Sequence, residues 1–339
     1  MLYVAAVASL AMFGEIHKDK DYPAFERFIR AHRNGLPYKD ELETLGRFAT
    51  FKANLVKIEE RNKKGQEKHG VTKFADLTRD EFLSKFTGAQ PASEELKKKV
   101  AKLDHHVASN YSATAASIDW NAKGALTPIK NQGQCGSCWA FSATEQLESD
   151  YFLKYGTLKE LAPQQIVSCD TAMNGCGGGN PISGWQYVNS YGGQDASKDY
   201  PYTSGLTQQT GTCSALKSDV TESVSSTIGY EISSSPADEP NMLKQIELSP
   251  MSIVADAELW QTYVSGVITA SSGCGTTPDH AIQLTGYNAP GNYWIVRNSW
   301  GTDWGENGYV YVAYGSNVCG ITTQAAITTP ATVSKLHDA

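Results

Sequence analysis

The stretch Asn131-Gln-Gly-Gln-Cys-Gly-Ser-Cys-Trp139 carries two cysteines three residues apart, Cys135 and Cys138. Three chemistries use that spacing. A zinc site needs further ligands, yet Cys169 and Cys176 lie seven apart with no histidine nearby. A dithiol redox motif belongs in a βαβ context, and the flanking sequence does not supply one. The third reading leaves one sulfur tied elsewhere and the other a thiol. The count favours it: cysteines at 135, 138, 169, 176, 213, 274 and 319 make seven, so one lacks an intramolecular partner. No metal and no cofactor are expected.

A thiol nucleophile needs a base, normally histidine. The histidines are His17, His32, His69, His105, His106, His280 and His337. Five precede a change in composition near residue 113, and His337 lies in a Thr/Ala-rich tail. His280 remains as the base. An imidazole must also be oriented through its other nitrogen. Asn298, in Val296-Arg-Asn-Ser-Trp-Gly301, offers a carbonyl oxygen without a negative charge, and Trp300 can shield that bond from water.

Outward from this centre, 339 residues suggest two or three units. A net charge of −7 argues against nucleic acid as a partner. No stretch approaches the roughly 20 apolar residues of a membrane span. Met1–Gly14 is an uncharged apolar run that reads as a secretory leader, although no basic residue precedes it. Up to about Leu103 the chain is rich in Lys, Arg and Glu; from Ala113 it turns to Gly, Ser, Thr and aromatics. Asp104–Ser117 between them reads as an exposed linker.

The first part is expected to be helical. Phe25, Phe28, Ile29 and His32 share one face, ended by Gly35 and Pro37. Glu43, Arg47, Phe51, Asn54, Ile58 and Asn62 fall on one stripe of a second helix, where the asparagines must find partners. In the second part a helix is expected from Ser137 to about Tyr155. Beyond the Gly-rich run at 175–179, "PMSIVADA", "AIQLTGY", "NYWIVRNSW" and "GYVYVAYG" read as strands. A helical half followed by a β half suggests two lobes with a site between them.

"QGQCGSCWAF", "DHAIQLTGY" and "NYWIVRNSWGTDWGENGYV" occur in that order and resemble the papain family of cysteine peptidases. The stripe from Glu43 to Asn62 resembles the ERFNIN pattern of cathepsin L-like propeptides. Gly70, Thr72, Phe74 and Asp76 resemble the motif that adjoins it. The resemblance implies an α+β, two-lobed papain-like fold, with a helical lobe and a β-barrel-like lobe, behind a helical inhibitory prodomain. The divisions expected are a leader at 1–14, a propeptide at 15–113, a peptidase domain at 114–328 and a tail at 329–339.

It further implies Cys138 as nucleophile in an ion pair with His280, Asn298 as orienter and Gln132 as an oxyanion donor beside the Cys138 backbone N–H. Disulfides are implied as Cys135–Cys176, Cys169–Cys213 and Cys274–Cys319. Gly178 and Gly179 would pair with substrate backbone. Asn180, Pro181, Val254, Pro278, Ala281 and Gln324 would line the second subsite, with Asn180 unusually polar. Without an acidic residue at Gln324, uncharged apolar side chains such as Leu, Val or Phe are expected there. No His-bearing insertion follows Gly179, so endopeptidase activity is expected. Ala162 stands where relatives place a capping Ser.

The propeptide is expected to block the cleft as an intramolecular inhibitor. Its carboxylates, Asp76 and Glu43 among them, are expected to pair and to weaken in acid, with processing near Ala113–Ala115. Asn110 begins a glycosylation sequon. Protein or peptide substrates, cystatin-like inhibitors, a monomeric state and a secreted, lysosomal or vacuolar location complete the expectation. A peptide ligase on the same scaffold and an inactive binding homologue are the alternatives.

Overall fold

The computed structural model describes residues 16–93, 95, 117–215, 230–231 and 239–328. The expected leader, Asn110, the processing point at Ala113–Ala115, the linker short of Ser117 and the tail lie outside the described residues.

The N-terminal unit is built on two helices. α1 (Tyr22–His32) starts with Pro23 in its first turn and buries Phe25 and Phe28; the Gly35 N–H closes back on Ile29. α2 (Glu41–Arg61) is capped by Asp40, whose carboxylate accepts the Glu43 N–H at 2.8 Å. Phe25, Phe28, Tyr38, Phe48, Phe51 and Ala75 form a small aromatic core. The polar members of the α2 stripe hold the chain that follows. Asn54 Nδ2 donates to the Ala75 and Leu77 carbonyls, both at 2.9 Å. Asn62, just beyond the helix, clamps the backbone of His69 through both its oxygen and its nitrogen. Arg47 reaches the Asp76 carbonyl at 3.1 Å and Glu81 at 2.8 Å. Glu81 closes a capping box with Thr78 at the head of α3 (Arg79–Phe86). Between α2 and α3 a two-residue strand, β1 (Lys68–His69), pairs with β5 (Tyr263–Ser265) of the second unit. No sequence pattern foretold that strand.

The second unit has two lobes. α4 (Cys138–Tyr155) is buried from Cys138 to Tyr151 and ends at Gly156 in the left-handed conformation. α5 (Pro163–Cys169) and α6 (Pro181–Tyr191) pack on it around Trp139, Ile166, Ile182 and Trp185. The other lobe is a sheet in the order β3 (Tyr230–Glu231), β10 (Ala325–Ile327), β4 (Met251–Ala255), β7 (His280–Asn288), β8 (Tyr293–Arg297), β9 (Tyr309–Ala313) and β6 (Val267–Ile268), with β2 (Ser117–Asp119) on β7. Its pairings are antiparallel except β6 with β9. The four runs read as strands from sequence are β4, β7, β8 and β9. Trp260, Trp294, Trp300 and Trp304 fill its core.

The three disulfides implied by the resemblance are present: Cys135–Cys176, Cys169–Cys213 and Cys274–Cys319, with Cys138 free. Register then positions chemistry. Ala255 faces His280 across β4 and β7, and Gln283 faces Arg297 across β7 and β8. Arg297, fully buried, anchors the end of β8 by donating to Gln283 and to the Thr127 and Pro128 carbonyls. α5 begins at Ala162 with no side-chain cap. Ala162→Ser is expected to stabilise the protein by about 1 kcal/mol, read as a raised midpoint in chemical denaturation.

Candidate active site

Cys138 opens α4, where the first-turn amides are unsatisfied within the helix. The loop before it is fixed by the Cys135–Cys176 bridge and by the Gly136 N–H on the Cys176 carbonyl. A side chain at 136 would collide with that carbonyl at 2.6 Å, so glycine is required. Across from this helix, His280 begins β7 and Asn298 follows β8. His280 Nε2 lies 2.7 Å from Asn298 Oδ1. Because that oxygen only accepts, Nε2 carries the proton and Nδ1 is the basic nitrogen; Nδ1 makes no hydrogen bond among the described residues. Asn298 Oδ1 is held in place by the Ser299 N–H at 2.8 Å. Trp300 stacks on the imidazole with ring centroids 4.5 Å apart, shielding the bond to Asn298.

Gln132 is fully buried. Ser299 Oγ donates to its Oε1 at 2.7 Å, which fixes the direction of the amide. Its Nε2 donates to the Cys135 carbonyl at 3.0 Å and to the Phe86 carbonyl of the N-terminal unit at 3.1 Å. Trp300 Nε1 donates to that same Phe86 oxygen at 2.9 Å. Sequence reading missed Phe86 and Ser299, since each acts through a contact remote in the chain.

From Phe86 the N-terminal unit runs on as a strap through the cleft. The Gly88 and Ala89 N–H groups both donate to the Asp279 carbonyl at 2.8 Å. Gly179 donates to the Gly88 carbonyl at 2.9 Å and accepts from the Gln90 N–H at 2.7 Å, so Ala89 and Gly179 form a parallel bridge. Gly88 has φ +148° and a Cβ there would sit 2.3 Å from the Gly136 carbonyl; only glycine lets the strap lie so close to the Cys138 loop. Gly179 thus pairs with backbone, here that of the chain's own N-terminal unit, while the Gly178 N–H and carbonyl are bonded to Gly175 and Asn174.

Burial under the strap decides the charge state. It pushes the Cys138 thiol up to about 12, against backbone N–H groups of Ala281, Trp139 and Ala89 that favour thiolate. It pushes His280 down to about 4, against the bond to Asn298. In this closed state burial thus disfavours the charged form of both the thiol and the imidazole. Asp279, beside His280, is raised to about 7, first by burial and then by the nearby carboxylates Asp256 and Glu258.

Among the residues expected at the second subsite, Val254 and Ala281 face each other across β4 and β7, and the Val254 N–H donates to the Gln324 carbonyl. Asn180 caps α6, with Pro181 as its first residue, and its side chain meets that of Gln324. Pro278 is half-buried on the turn into His280.

The carboxylates of the N-terminal unit divide. Burial raises Asp76 despite the Tyr38 hydroxyl and the nearby Arg47. Its protonation therefore favours the folded state, which corrects the expectation that Asp76 weakens in acid. Glu43 sits on the helix surface, 3.9 Å from Arg47 Nε. Glu67 behaves as the expectation required of Asp76. Burial would raise it, but hydrogen bonds from His69 and Ser272 outweigh burial and hold it low. The described residues contain no cluster of three or more His, Cys, Asp or Glu that could hold a metal ion.

This geometry has close counterparts. Residues 114–329 match the papain family cysteine protease profile, and residues 25–82 match the cathepsin propeptide inhibitor domain. The chain belongs to the papain family of cysteine proteases. It is 39% identical over 313 residues to the Arabidopsis thaliana thiol protease aleurain, covering 89% of this chain and 83% of the relative. It is 38% identical over 305 residues to Cysteine proteinase 1 of Dictyostelium discoideum, covering 82% and 85%. Among solved structures, a recombinant stem bromelain precursor aligns with TM-score 0.74 and 31% identity over 93% of this chain and all of that one, 100%. Digestive procathepsin L 3 from the larval midgut of Tenebrio molitor aligns with TM-score 0.76 and 29% identity, covering 92% and 99%. The chain is a cysteine protease, a hydrolase, that carries its propeptide inhibitor domain.

With the thiol buried and neutral, Cys138 in the full-length protein at pH 7 is expected to alkylate on the order of a hundredfold more slowly than after removal of the strap. Mass spectrometry of the iodoacetamide-labelled protein, before and after processing, checks this.

Proposed function

We propose that the chain is the zymogen of a cysteine endopeptidase, inhibited by its own N-terminal unit and released in acid. Once the strap leaves, water returns to the cleft and the Cys138–His280 pair ionises. Cys138 Sγ attacks the peptide carbonyl carbon. The oxyanion is held by Gln132 Nε2–H and the Cys138 backbone N–H, each worth roughly 3 kcal/mol in such sites. His280 protonates the departing amine from Nδ1, leaving a thioester on Cys138. It then takes a proton from water, which attacks that thioester and frees the acid. Asn298 holds the ring in the required tautomer and Trp300 covers their bond.

One observation carries the reading: the Phe86 carbonyl rests on Gln132 Nε2 and Trp300 Nε1. Gln132 Nε2 is thus already aimed at a peptide carbonyl that has reached the cleft beside Cys138. Processing near Ala113–Ala115 would separate the propeptide from a peptidase domain beginning at 114. Three disulfides suit an oxidising compartment, so a secretory route ending outside the cell or in a lysosome or vacuole follows. No helix among the described residues is long and apolar enough to cross a membrane. Protein and peptide substrates, cystatin-like inhibitors and a monomer belong to this proposal.

The acid trigger lies at β1. Glu67 and His69, both fully buried, bond to each other at 3.0 Å and reach Ser272 and Thr262 of the peptidase unit. Arg61 also donates to Thr262 Oγ1 at 2.7 Å, while Glu258 and Glu306 complete the charged surroundings. A carboxyl held below its ordinary value of 4.5 stabilises the fold fully above that pH. The contribution is lost as pH falls through its lowered folded value. Glu81, held low by Arg47 and Thr78 against burial, acts in the same direction.

Glu67→Gln is therefore expected to process at higher pH than the parent protein, and Asp76→Asn to leave the midpoint unchanged; gel-resolved processing across pH 3–7 separates them. After acid processing, an epoxide thiol inhibitor is expected to label Cys138, and Cys138→Ala to lose at least about 10⁴-fold in kcat/KM. Label at another residue, or retained activity in Cys138→Ala, would overturn the mechanism.

A further inference from the structure

Ser137 precedes Cys138 at the head of α4, where a serine hydroxyl ordinarily accepts a first-turn N–H. Here its side chain makes no cap. Its Oγ lies instead 2.8 Å from the Tyr202 hydroxyl, and that hydroxyl lies 2.7 Å from the Gln132 carbonyl oxygen. A phenol has one hydrogen, and a carbonyl can only accept. The Tyr202 hydrogen therefore goes to Gln132, and the Ser137 hydroxyl donates to Tyr202. One phenol oxygen thus joins two segments: Gln132, whose side chain supplies Nε2, and the Ser137–Cys138 peptide, which supplies the Cys138 N–H.

Tyr202 is itself fixed. Its ring stands edge-on to Phe141 of α4, with centroids 4.8 Å apart. The turn that follows it, Ser204–Thr207, is held by the buried Gln164 of α5. Gln164 Oε1 accepts the Thr203 and Ser204 N–H groups at 2.8 and 3.0 Å, and its Nε2 donates to Ser204 Oγ at 2.8 Å. The same turn lies against the Gln132 loop, where the Gln134 N–H donates to the Gly205 carbonyl at 3.1 Å. Gly133 has φ +59°, and a Cβ on it would sit 2.6 Å from that carbonyl. A Cβ on Gly205 would sit 2.7 Å from the Gln132 carbonyl oxygen. Two glycines in contact bring Tyr202 within reach of the loop. Burial raises the Tyr202 phenol, against its hydrogen bond with Ser137, so it stays a donor.

We infer that Tyr202 is a positioning residue for the peptidase reaction, one that sets the distance between Gln132 Nε2 and the Cys138 N–H by holding the Gln132 backbone. This rests on the oxyanion role given to Gln132 above. Two donors serve one oxyanion only while both stand about 2.7–3.1 Å from it, and such a site must be held to within about 0.5 Å. Gln132 is gripped from both lobes. Its N–H donates to the Ser299 carbonyl at 2.8 Å, which ties it to the Asn298 segment, and its carbonyl on Tyr202 ties it to the helical lobe. The bonds of its side chain to Ser299 and Cys135 set the direction of the amide; Tyr202 sets the place of the backbone that carries it.

The test uses acid-processed full-length protein and a peptide amide substrate. Tyr202→Phe keeps the ring and removes only its oxygen. It is expected to lower kcat about tenfold with KM unchanged. The rate at which iodoacetamide alkylates Cys138 is expected to stay the same, since attack on that saturated carbon forms no oxyanion. In a Gln132→Ala background the same substitution is expected to cost about threefold or less. A kcat within about twofold of wild type, a matching loss in alkylation rate, or an undiminished cost in the Gln132→Ala background overturns the inference and leaves the peptidase reading standing. If Tyr202→Phe does not fold, Ser137→Ala cuts the same bridge at its other end: a kcat lowered about threefold or more at an unchanged alkylation rate supports the inference, and any smaller loss overturns it. Wild-type activity in Gln132→Ala overturns the oxyanion role and the inference with it. Failure of the wild-type protein to cleave the peptide, or casein, overturns the peptidase reading as well.

Discussion

The hydrogen bond between His280 Nε2 and Asn298 Oδ1 is the constraint on which the catalytic arrangement rests. It decides which ring nitrogen is basic, and it depends on sheet register. His280 is the first residue of β7 and Asn298 the first beyond β8, so they meet only if those strands pair as they do. A slip of one residue would turn the imidazole to the other face of the sheet. Arg297 guards against that slip. Its guanidinium, buried among Gln283, Thr127 and Pro128, ties the end of β8 both to β7 and to the chain that leads towards Cys138. Trp300 and Ser299 then seat the ring and the amide from the same short segment. One β-strand end thus supplies the anchor, the orienter and the shield.

Two effects compete at Cys138. The first turn of α4 favours thiolate by about 1–2 kcal/mol at best. Moving the thiol from its ordinary value of 9.0 to about 12 corresponds to roughly 4 kcal/mol against thiolate. Burial wins. The strap occupies the groove by backbone pairing at Gly179 and Asp279 and, on the proposed reading, inhibits both by that occupation and by burying the Cys138–His280 pair. Inhibition by occupation alone would leave a reactive thiolate under the strap, open to attack on the strap's own carbonyls.

Much of this was legible in the chain itself. His280 and Asn298 could be singled out by elimination and by chemical need, because a single histidine in the second unit left few choices; the odd cysteine count called for one free thiol, and the resemblance to the papain family assigned it to Cys138. The four principal strands announced themselves by β-branched runs between glycines, and the α2 stripe by its period. Glu67, His69 and Phe86 were not legible. β1 is two residues long and takes its conformation from β5, almost 200 positions away, so no local pattern encodes it. Phe86 acts through its carbonyl, which every residue has. Asp76 misled for a related reason: sequence shows that a carboxylate is present, but only burial decides whether its environment favours the charge.

The contacts of Gln132 bear on how activation proceeds. Its side chain is fully committed, with Oε1 on Ser299 and Nε2 on the Cys135 and Phe86 carbonyls. Departure of the strap frees the share of Nε2 held by Phe86 and disturbs neither of the other two bonds. The same holds for Trp300, which keeps its stacking on His280 when its N–H loses Phe86. Asn298 Oδ1 is bonded to His280 and to the adjacent Ser299 N–H, neither of them in the strap. No catalytic strand must re-pair, since the strap meets the helical lobe through the isolated bridge at Gly179 and through side-chain bonds such as those of Gln132 and Asn180 to the Phe86 and Gln90 carbonyls. The site is built in advance and covered. On the proposed reading, activation is a matter of detaching the N-terminal unit at β1 and drawing the strap out. That reading puts the barrier to activity in the interface around Glu67 rather than in any refolding of the peptidase.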